Sequence, residues 1–263
     1  MGPAARGPRF GAGAPNRIEG SARLSHRYDV GMLQTDFAVD ALGRCRLFAG
    51  MGPDAIQAMA RTLRVRRFRR GEVLFHEGDP GDALFVVASG AVKVAVPSED
   101  GEEAILATLR RGDFLGELAL LDGAPRSASA VALEATETLA LPRDQFLALV
   151  ATEPAIRDAL LASLAGELRR LTTHVAELHF LDLTGRLAAR LARLADEHGQ
   201  QLPGGGVRLD APLTQSDLAA MIGATRQSVN KLLGEFVDKG LLRMDRETIV
   251  IPDLDALLRA SRR

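Results

Sequence analysis

Residues Gly116–Ser129 read GELALLDGAPRSAS, which places a carboxylate and a guanidinium in one short segment rich in small residues. Small residues let backbone N–H groups approach a bound anion, and successive N–H groups in a turn form an anion-binding concavity. Arg126 adds a planar fork that suits a phosphate, and Ser127 adds a hydroxyl. Glu117 suits a sugar hydroxyl. The stretch predicts a site for a small phosphorylated sugar such as a nucleotide; the alternative is that Glu117 simply pairs with Arg126 across the turn.

Short apolar runs separated by glycines surround this stretch, from Val65 to Ala140. The segments EGDPGD and SEDGEE between them are strong turn signals. Many short strands at such spacing indicate a β-barrel or jelly roll. The predicted strands are Val73–Phe75, Leu84–Val87, Val92–Val96, Ile105–Leu109 and Ala130–Ala135.

Jelly rolls also include the cupin metalloenzymes, so an enzyme is an alternative. A cupin needs several His and carboxylate ligands that converge in the barrel, whereas His76 is the only histidine of this segment. His76 is also a conceivable axial ligand for haem, but its position favours a strand beside a turn. No metal is therefore expected.

Composition narrows the choice further. The chain of 263 residues is long enough for two modest domains, and its formal net charge of -1 does not favour general nucleic-acid binding. Any DNA-binding surface must come from local charge. Cys45 is the only cysteine, which excludes a disulfide within the chain and a cysteine-ligated zinc or iron–sulfur site. No apolar run suits a membrane span or a signal core, which predicts a cytoplasmic protein without membrane association.

The helical parts of the chain flank the barrel. Residues 1–37, rich in Gly, Ala, Pro and Arg, are predicted to be a disordered tail, and a helix is expected over Pro53–Leu63. From Pro154 to about His198 the pattern is helical again. Its apolar residues are spaced alternately by three and four, as in a dimer seam; packing on the chain's own barrel is the alternative. These residues are Leu161, Leu164, Leu168, Leu171, Val175 and Leu178.

A pair of short helices is predicted from Thr214 onward, where the sequence reads TQSDLAAMIGATRQSVNKLLGEFVDKGLL. Thr214 caps the first helix together with Asp217, Gly223 ends it, and Thr225 caps the second helix. This is the helix-turn-helix arrangement. Two strand-like runs after Gly240 predict the wing of a winged helix.

The second helix of this pair presents polar side chains at its start. Arg takes guanine O6 and N7 in the major groove, and Gln takes adenine N6 and N7. The alternative is a helix face that is merely solvated. The side chains are Arg226, Gln227, Asn230 and Lys231.

Three motifs resemble one protein family. The segment G-E-L followed by P-R-S-A is similar to the phosphate-binding cassette of cyclic-nucleotide-binding domains. The stretches GATRQSVNKLL and FLDLTGR (Phe180–Arg186) resemble the recognition helix and the connector of the CRP/FNR transcription regulators. The resemblance implies an α+β fold: a cyclic-nucleotide-binding β jelly roll (38–153), a dimerisation helix and connector (154–199), and a winged helix-turn-helix (200–263).

The resemblance also implies roles in ligand binding. Glu117 would bind the ribose 2′-hydroxyl, and Arg126 with Ser127 the cyclic phosphate. Thr172 would be one of two adjacent polar residues that hold adenine, but Leu171 departs from that pattern, so cyclic GMP or another nucleotide is an alternative to cyclic AMP. The full predicted ligand set is Gly116, Glu117, Leu118, Arg126, Ser127 and Thr172.

On the DNA side, the resemblance makes Arg226 the guanine reader and puts Lys231 where a second Arg is common. Gln227 replaces the usual Glu, which predicts a different half-site. Contacts to the phosphate backbone would come from Thr214, Gln215, Thr225 and Ser228.

Taken together, these features predict a homodimeric transcription regulator that is gated by cyclic AMP, binds a palindromic site in double-stranded DNA and contacts RNA polymerase. It is not expected to be an enzyme. A regulator of the same family with another effector, or with none, is the first alternative. A cupin-type metalloenzyme is the alternative from another class.

Overall fold

In the computed structural model, residues 35–98, 103–210, 212–245 and 248–260 are described. The predicted tail, residues 1–37, lies outside them except at its end. There a helix, α1, covers residues 35–44. Its side chains Ala38, Ala41 and Leu42 are buried, and Phe37 packs against the same apolar cluster. This packing on the barrel extends the helix into the predicted tail.

Two four-stranded antiparallel sheets form the barrel. One sheet has the strand order β1-β8-β3-β6 and the other β2-β7-β4-β5. The apolar side chains between them include Phe68, Phe85 and Val92. The strands are β1 (Arg64–Phe68), β2 (Val73–Phe75), β3 (Ala83–Ser89), β4 (Ala91–Pro97), β5 (Glu103–Arg110), β6 (Phe114–Leu115), β7 (Ser129–Ala132) and β8 (Thr136–Pro142).

Helices cover the outside of the first sheet. They are α1, a 3-10 helix (Arg46–Phe48), α2 (Pro53–Ala60) with Pro at its first turn, α4 (Arg143–Thr152) and the start of α5 (Pro154–Phe180). The buried side chains of this layer include Phe48, Phe146 and Ile156. A further short helix, α3 (Glu117–Asp122), follows β6, so the predicted ligand stretch begins where the barrel wall ends.

The long helical region is divided into two helices. Helix α5 (Pro154–Phe180) has 27 residues, and α6 (Leu183–His198) follows after a break at Leu181. The break has a local cause: Asp182 caps α6 by accepting a hydrogen bond from the backbone N–H of Gly185 at 2.7 Å. Along α5, the predicted seam residues are exposed except Leu164, which packs against the barrel cluster instead.

The C-terminal part combines a small sheet with the predicted helix pair. Its core includes α6, through Leu187 and Leu191, so the apolar face of α6 packs with the helix-turn-helix rather than with α5. The sheet has the order β11-β12-β10-β9. The elements are β9 (Gln200–Gln201), β10 (Val207–Asp210), α7 (Gln215–Ile222), α8 (Arg226–Asp238), β11 (Arg243–Asp245), β12 (Thr248–Ile251) and α9 (Leu254–Ala260).

None of the helices in the described ranges combines the length and the apolar character needed to cross a membrane.

Candidate nucleotide site and DNA interface

The predicted ligand stretch begins at a backbone position that only glycine suits. Gly116 has φ 89°, in the left-handed region, and precedes α3. A Cβ atom at this position would clash with Nη1 of Arg126. Glycine at 116 therefore permits both the turn and the close approach of the guanidinium.

Arg126 lies underneath this turn and is only 3% exposed. Its Nη1 donates to the carbonyl of Gly116 at 2.7 Å, and its Nη2 donates to the carbonyl of Ala83 at 2.8 Å. The guanidinium carbon lies 4.3 Å from the centre of the Phe75 ring, a cation–π contact. Burial lowers the pKa of Arg126, and the nearby carboxylate of Asp82, 3.3 Å from Nη2, opposes this effect.

The structure does not support the simple alternative of a Glu117–Arg126 ion pair, since none joins these two described residues within 4.0 Å. Glu117 starts α3 and is partly buried, and this burial raises its pKa. The nearby carboxylate of Glu167 on α5 raises that pKa further. The long helix therefore passes close to the predicted ribose-binding carboxylate.

The remaining predicted ligand residues lie at the surface. Leu118 is 44% exposed and Ser127 is exposed. Thr172 is exposed on α5, where its hydroxyl donates to the carbonyl of Leu168 at 2.9 Å. The neighbouring Leu171 is exposed as well. The cassette residues are thus brought together by one loop, whereas Thr172 lies on a separate element.

An open cavity of about 290 Å³ lies beside the cassette. Phe75 and Phe85, which stack at 5.8 Å, form its apolar wall, and Asp82 lies at its edge. None of the predicted ligand residues lines this cavity. Arg126 lies behind the wall of this cavity, because two lining residues, Phe75 and Asp82, both contact its guanidinium.

The helix-turn-helix has the predicted caps. Thr214 and Asp217 form a reciprocal capping box at α7, and Thr225 accepts from the backbone N–H of Ser228 at the start of α8. Gly223 ends α7 with φ 64°, in the left-handed region. The side chain of Arg186 on α6 donates to the carbonyl of Ile222 at 2.8 Å, which fixes the tight turn to the preceding helix.

Polar side chains at the start of α8 face outward. Arg226, Gln227 and Lys231 are exposed, as a base-reading surface requires. The amide of Asn230 donates to the side-chain oxygen of Gln215 at 2.9 Å and so links the two helices. The sequence did not predict this link. It occupies the side-chain oxygen of Gln215, a residue predicted to contact the phosphate backbone of DNA.

A contact between the barrel and the helix-turn-helix was also missed. Nζ of Lys93 on β4 lies 3.7 Å from a carboxylate oxygen of Asp217 on α7, and it also pairs with Glu103. Arg110 on β5 donates to the carbonyl of Asp210 at 3.1 Å. The available sequence signal was Lys93 itself, a charged residue within the apolar run Ala91–Val96.

Strands β4 and β5 therefore serve two cores at once. Val92 and Val94 on β4 face the barrel interior, whereas Ala95 belongs to the C-terminal core. Strand β5 has a bulge opposite Val94 and Ala95, since Val94 pairs with Ala107 and Ala95 pairs with Ile105. The bulge inserts one extra residue into β5, and this residue reverses the alternation of faces along the strand. Ile105 consequently points into the C-terminal core.

His76, the histidine considered for a metal or haem, follows β2 at an exposed turn, where its backbone N–H donates to Asp79 at 2.8 Å. Within the described ranges, no three His, Cys, Asp or Glu side chains lie close enough together to hold a metal ion.

Comparison with known proteins matches both halves of the chain. Residues 65–153 match the family model of the cyclic nucleotide-binding domain, and residues 185–260 match that of the Crp-like helix-turn-helix domain. A CRP-like cAMP-activated global transcriptional regulator from Mycobacterium tuberculosis is 37% identical over 223 residues, which cover 85% of this chain and 99% of that protein.

Solved structures show the same architecture. A CooA mutant from Carboxydothermus hydrogenoformans has a TM-score of 0.65 and 29% identity, over 76% of this chain and 88% of that one. The c-di-GMP responsive global regulator CLP from Xanthomonas campestris has a TM-score of 0.61 and 25% identity, over 73% of this chain and 94% of that one.

The predicted fold class is confirmed, since the barrel, the long helix and the helix-turn-helix occur in the expected order. The two family models agree with the relative from Mycobacterium tuberculosis, of which 99% is matched. The chain therefore belongs to the CRP/FNR family of transcription regulators, with a cyclic nucleotide-binding domain and a DNA-binding helix-turn-helix domain.

Proposed function

We propose that this regulator is a homodimer whose DNA affinity is controlled by cyclic AMP bound in the barrel. The observation that carries the proposal is the double role of β4, which contributes Val94 to the barrel core and Ala95 to the C-terminal core. A ligand that moves this strand would also move the helix-turn-helix. Such coupling requires that the ligand bind the two arrangements with different affinities.

The cassette supports a cyclic nucleotide as this ligand. In this proposal Gly116, Glu117, Leu118 and Ser127 surround the ribose and the cyclic phosphate, and Arg126 provides the positive charge. Thr172 contacts the base from α5. The name of the Mycobacterium tuberculosis relative, a cAMP-activated regulator, favours cyclic AMP.

A different effector is the second candidate, and two observations favour it. Leu171 stands where the family has a polar residue for adenine, and the related CLP is described as c-di-GMP responsive. Titration calorimetry of the purified protein with cyclic AMP, cyclic GMP and c-di-GMP separates these candidates. Binding of cyclic AMP alone supports the proposal; failure of cyclic AMP to bind contradicts it.

On DNA, the proposal places Arg226, Gln227 and Lys231 at base edges and Thr214, Gln215, Thr225 and Ser228 at the backbone. A homodimer would then recognise a palindrome whose half-sites lie about one helical turn (~10–10.5 bp) apart. Selection from a random DNA pool tests this expectation. Recovery of single, unpaired half-sites would contradict dimeric binding. We also propose that the DNA-bound regulator contacts RNA polymerase.

A further inference from the structure

One histidine lies at the boundary between the barrel and the C-terminal part of the chain. His198 is the last residue of α6, and its Nε2 lies 3.4 Å from the hydroxyl oxygen of Thr108 on β5. Both side chains are largely buried, since Thr108 is 7% exposed and the side chain of His198 is 11% exposed. Ile105 of the same strand lies in the C-terminal core. The imidazole is therefore enclosed in the contact between the two parts of the chain.

Charged groups approach His198 from each element around it. Arg110 on β5 donates to the carbonyl of Asp210 on β10 at 3.1 Å. In the turn after β5, the carboxylate of Asp113 accepts a hydrogen bond from the backbone N–H of Arg110 at 2.8 Å. On α6, Oε2 of Glu197 lies 3.8 Å from Nε2 of His198, but Glu197 is exposed and its charge is screened by water. One cation and two carboxylates thus surround the imidazole, and the cation is fixed in place by its hydrogen bond.

The other charged groups of this boundary are paired among themselves. Lys93 pairs with Glu103 and with Asp217, and the carboxylate of Asp210 pairs with Arg208. Histidine is the side chain whose charge ordinarily changes between pH 5 and pH 8. A change of pH in this range therefore acts on the boundary through its imidazole.

The surroundings favour the neutral form of this imidazole. Burial, together with the neighbouring Arg110, lowers the pKa of His198, and Glu197 and Asp113 oppose this effect only in part. When the two parts separate, the imidazole meets water and its pKa returns to the ordinary value of 6.5. Separation therefore binds a proton more readily. The contact has its full stability above the ordinary pKa and loses stability as the pH falls toward the lowered value.

We propose that His198 makes the contact between the barrel and the helix-turn-helix part sensitive to pH: the neutral imidazole stabilises the contact, and protonation weakens it. Protonation places a second positive charge beside Arg110 in a site that excludes most of the water. The neighbouring contacts Lys93–Asp217 and Arg110–Asp210 cross the same boundary and weaken with it. The placement of the DNA-reading helices would thus respond to pH, and this inference does not depend on which nucleotide the barrel binds.

Methyl NMR of the full-length protein tests the contact, with the δ1 methyl group of Ile105 as the reporter. Ile105 is 3% exposed, so a soluble paramagnetic probe reaches this methyl group only when the two parts separate. We expect the relaxation caused by the probe to rise about threefold between roughly pH 8 and pH 5, as the separated fraction grows. Ile156, fully buried among the helices that cover the barrel, is the internal control and should not change.

Three single variants assign the response to one histidine. His198→Gln should abolish it, because the amide keeps a hydrogen-bonding group beside Thr108 but carries no charge. His76→Gln is the matched control, since His76 is exposed at the turn after β2, and it should respond as the wild type does. Burial also lowers the pKa of His174, but His174 lies on α5, so His174→Gln should keep the response as well.

A second measurement uses the wild-type protein alone. An NMR titration of isotope-labelled histidine rings follows the protonation of His198 directly, and its midpoint should coincide with the midpoint of the Ile105 response. If His198→Gln does not fold, this comparison decides the matter by itself. The proposal is overturned by different midpoints, by a wild type whose Ile105 does not respond, or by an equal response in His198→Gln and wild type.

Discussion

At the scale of single residues, the guanidinium of Arg126 has a structural task beside its predicted role at phosphate. It is buried, and it holds the carbonyls of Gly116 and Ala83, which lie at the ends of two separate strands. Arg126, the residue expected to bind the phosphate, therefore also fixes the conformation of the predicted phosphate-binding loop at Gly116. Replacing Arg126 should affect both binding and stability.

We expect Arg126→Leu to abolish cyclic nucleotide binding and to destabilise the barrel. The variant leaves buried carbonyls without a donor, at a cost of about 1–3 kcal/mol each. Calorimetry with cyclic AMP and thermal unfolding measure the two effects. Arg143→Leu is the control, since Arg143 is exposed on α4 near Gly123 and should bind as the wild type does. Wild-type affinity in the folded Arg126→Leu variant would show that the cassette is wrongly assigned.

Gln227 is the residue expected to distinguish the DNA half-site of this protein. Its carboxamide both donates and accepts, and so pairs with adenine, whereas a carboxylate only accepts, as from cytosine N4. Gln227→Glu should change the preferred base at one position per half-site, with a discrimination of ~1–3 kcal/mol. Selection from a random DNA pool, at one salt concentration for both proteins, measures this preference.

Lys231→Ala provides the contrast to that experiment. If Lys231 binds a phosphate, this variant should weaken binding to all sequences and reduce the salt dependence by about one unit for each phosphate that is no longer neutralised. Identical base preferences for Gln227→Glu and the wild type would place Gln227 outside the base-reading surface.

At the scale of elements, the exposed stripe of α5 is the clearest unpartnered apolar surface among the described residues. Leu161, Leu168 and Val175 are 58%, 66% and 55% exposed, and Phe180 at the end of the helix is 86% exposed. Side chains of this size at alternating spacings of three and four suit a second helix of the same kind. Of the predicted seam residues, only Leu164 turns to the barrel, where it joins Ile156 and Leu160 of the same helix.

The double variant Leu168→Glu/Leu178→Glu should therefore prevent dimerisation. It places like charges close together in a seam that excludes water, and burying such charges is strongly unfavourable. Sedimentation velocity of the folded variant measures its association state. The control Ser163→Glu/Thr173→Glu adds the same charges to exposed positions of α5 away from the seam and should remain a dimer. An unchanged dimer of the first variant would exclude this seam.

At the scale of the whole molecule, the barrel and the helix-turn-helix share one structural wall. Lys93 and Asp217 are both largely buried, with side chains 15% and 12% exposed, so their attraction is less screened than that of a surface pair. Asp217 also caps α7. Lys93 on β4 therefore pairs with the carboxylate that caps α7, and the other face of β4 lines the barrel.

We expect Lys93→Met to weaken the communication between nucleotide and DNA. The ratio of DNA dissociation constants with and without cyclic AMP should move toward one. Loss of the Lys93–Asp217 contact weakens the packing of the barrel on the helix-turn-helix, and this lowers the free energy of coupling between the two sites. Fluorescence anisotropy with a labelled DNA site measures this ratio. Arg67→Met removes an exposed pair between Arg67 on β1 and Glu137 on β8 and should leave the ratio unchanged. An unchanged ratio in Lys93→Met would exclude this ion pair as a coupling element.

Features encoded by neighbouring residues could be predicted from the sequence. The capping box at Thr214, the turn at Gly223, the strands of the barrel and the exposed start of α8 all follow from patterns within a few residues. The same locality explains why the motifs identified the family. The predicted domain boundaries and site roles stay predictions.

Contacts between distant segments were decided only by the tertiary structure. Arg126 meets Ala83 across 43 positions, and Lys93 meets Asp217 across the domain boundary. The direction in which Leu164 points, and the contact of His198 with Thr108, likewise depend on which element packs against each helix. A local pattern states that a side chain is apolar or charged; which partner it meets depends on how the whole chain packs, because burial and pairing are properties of the assembled core.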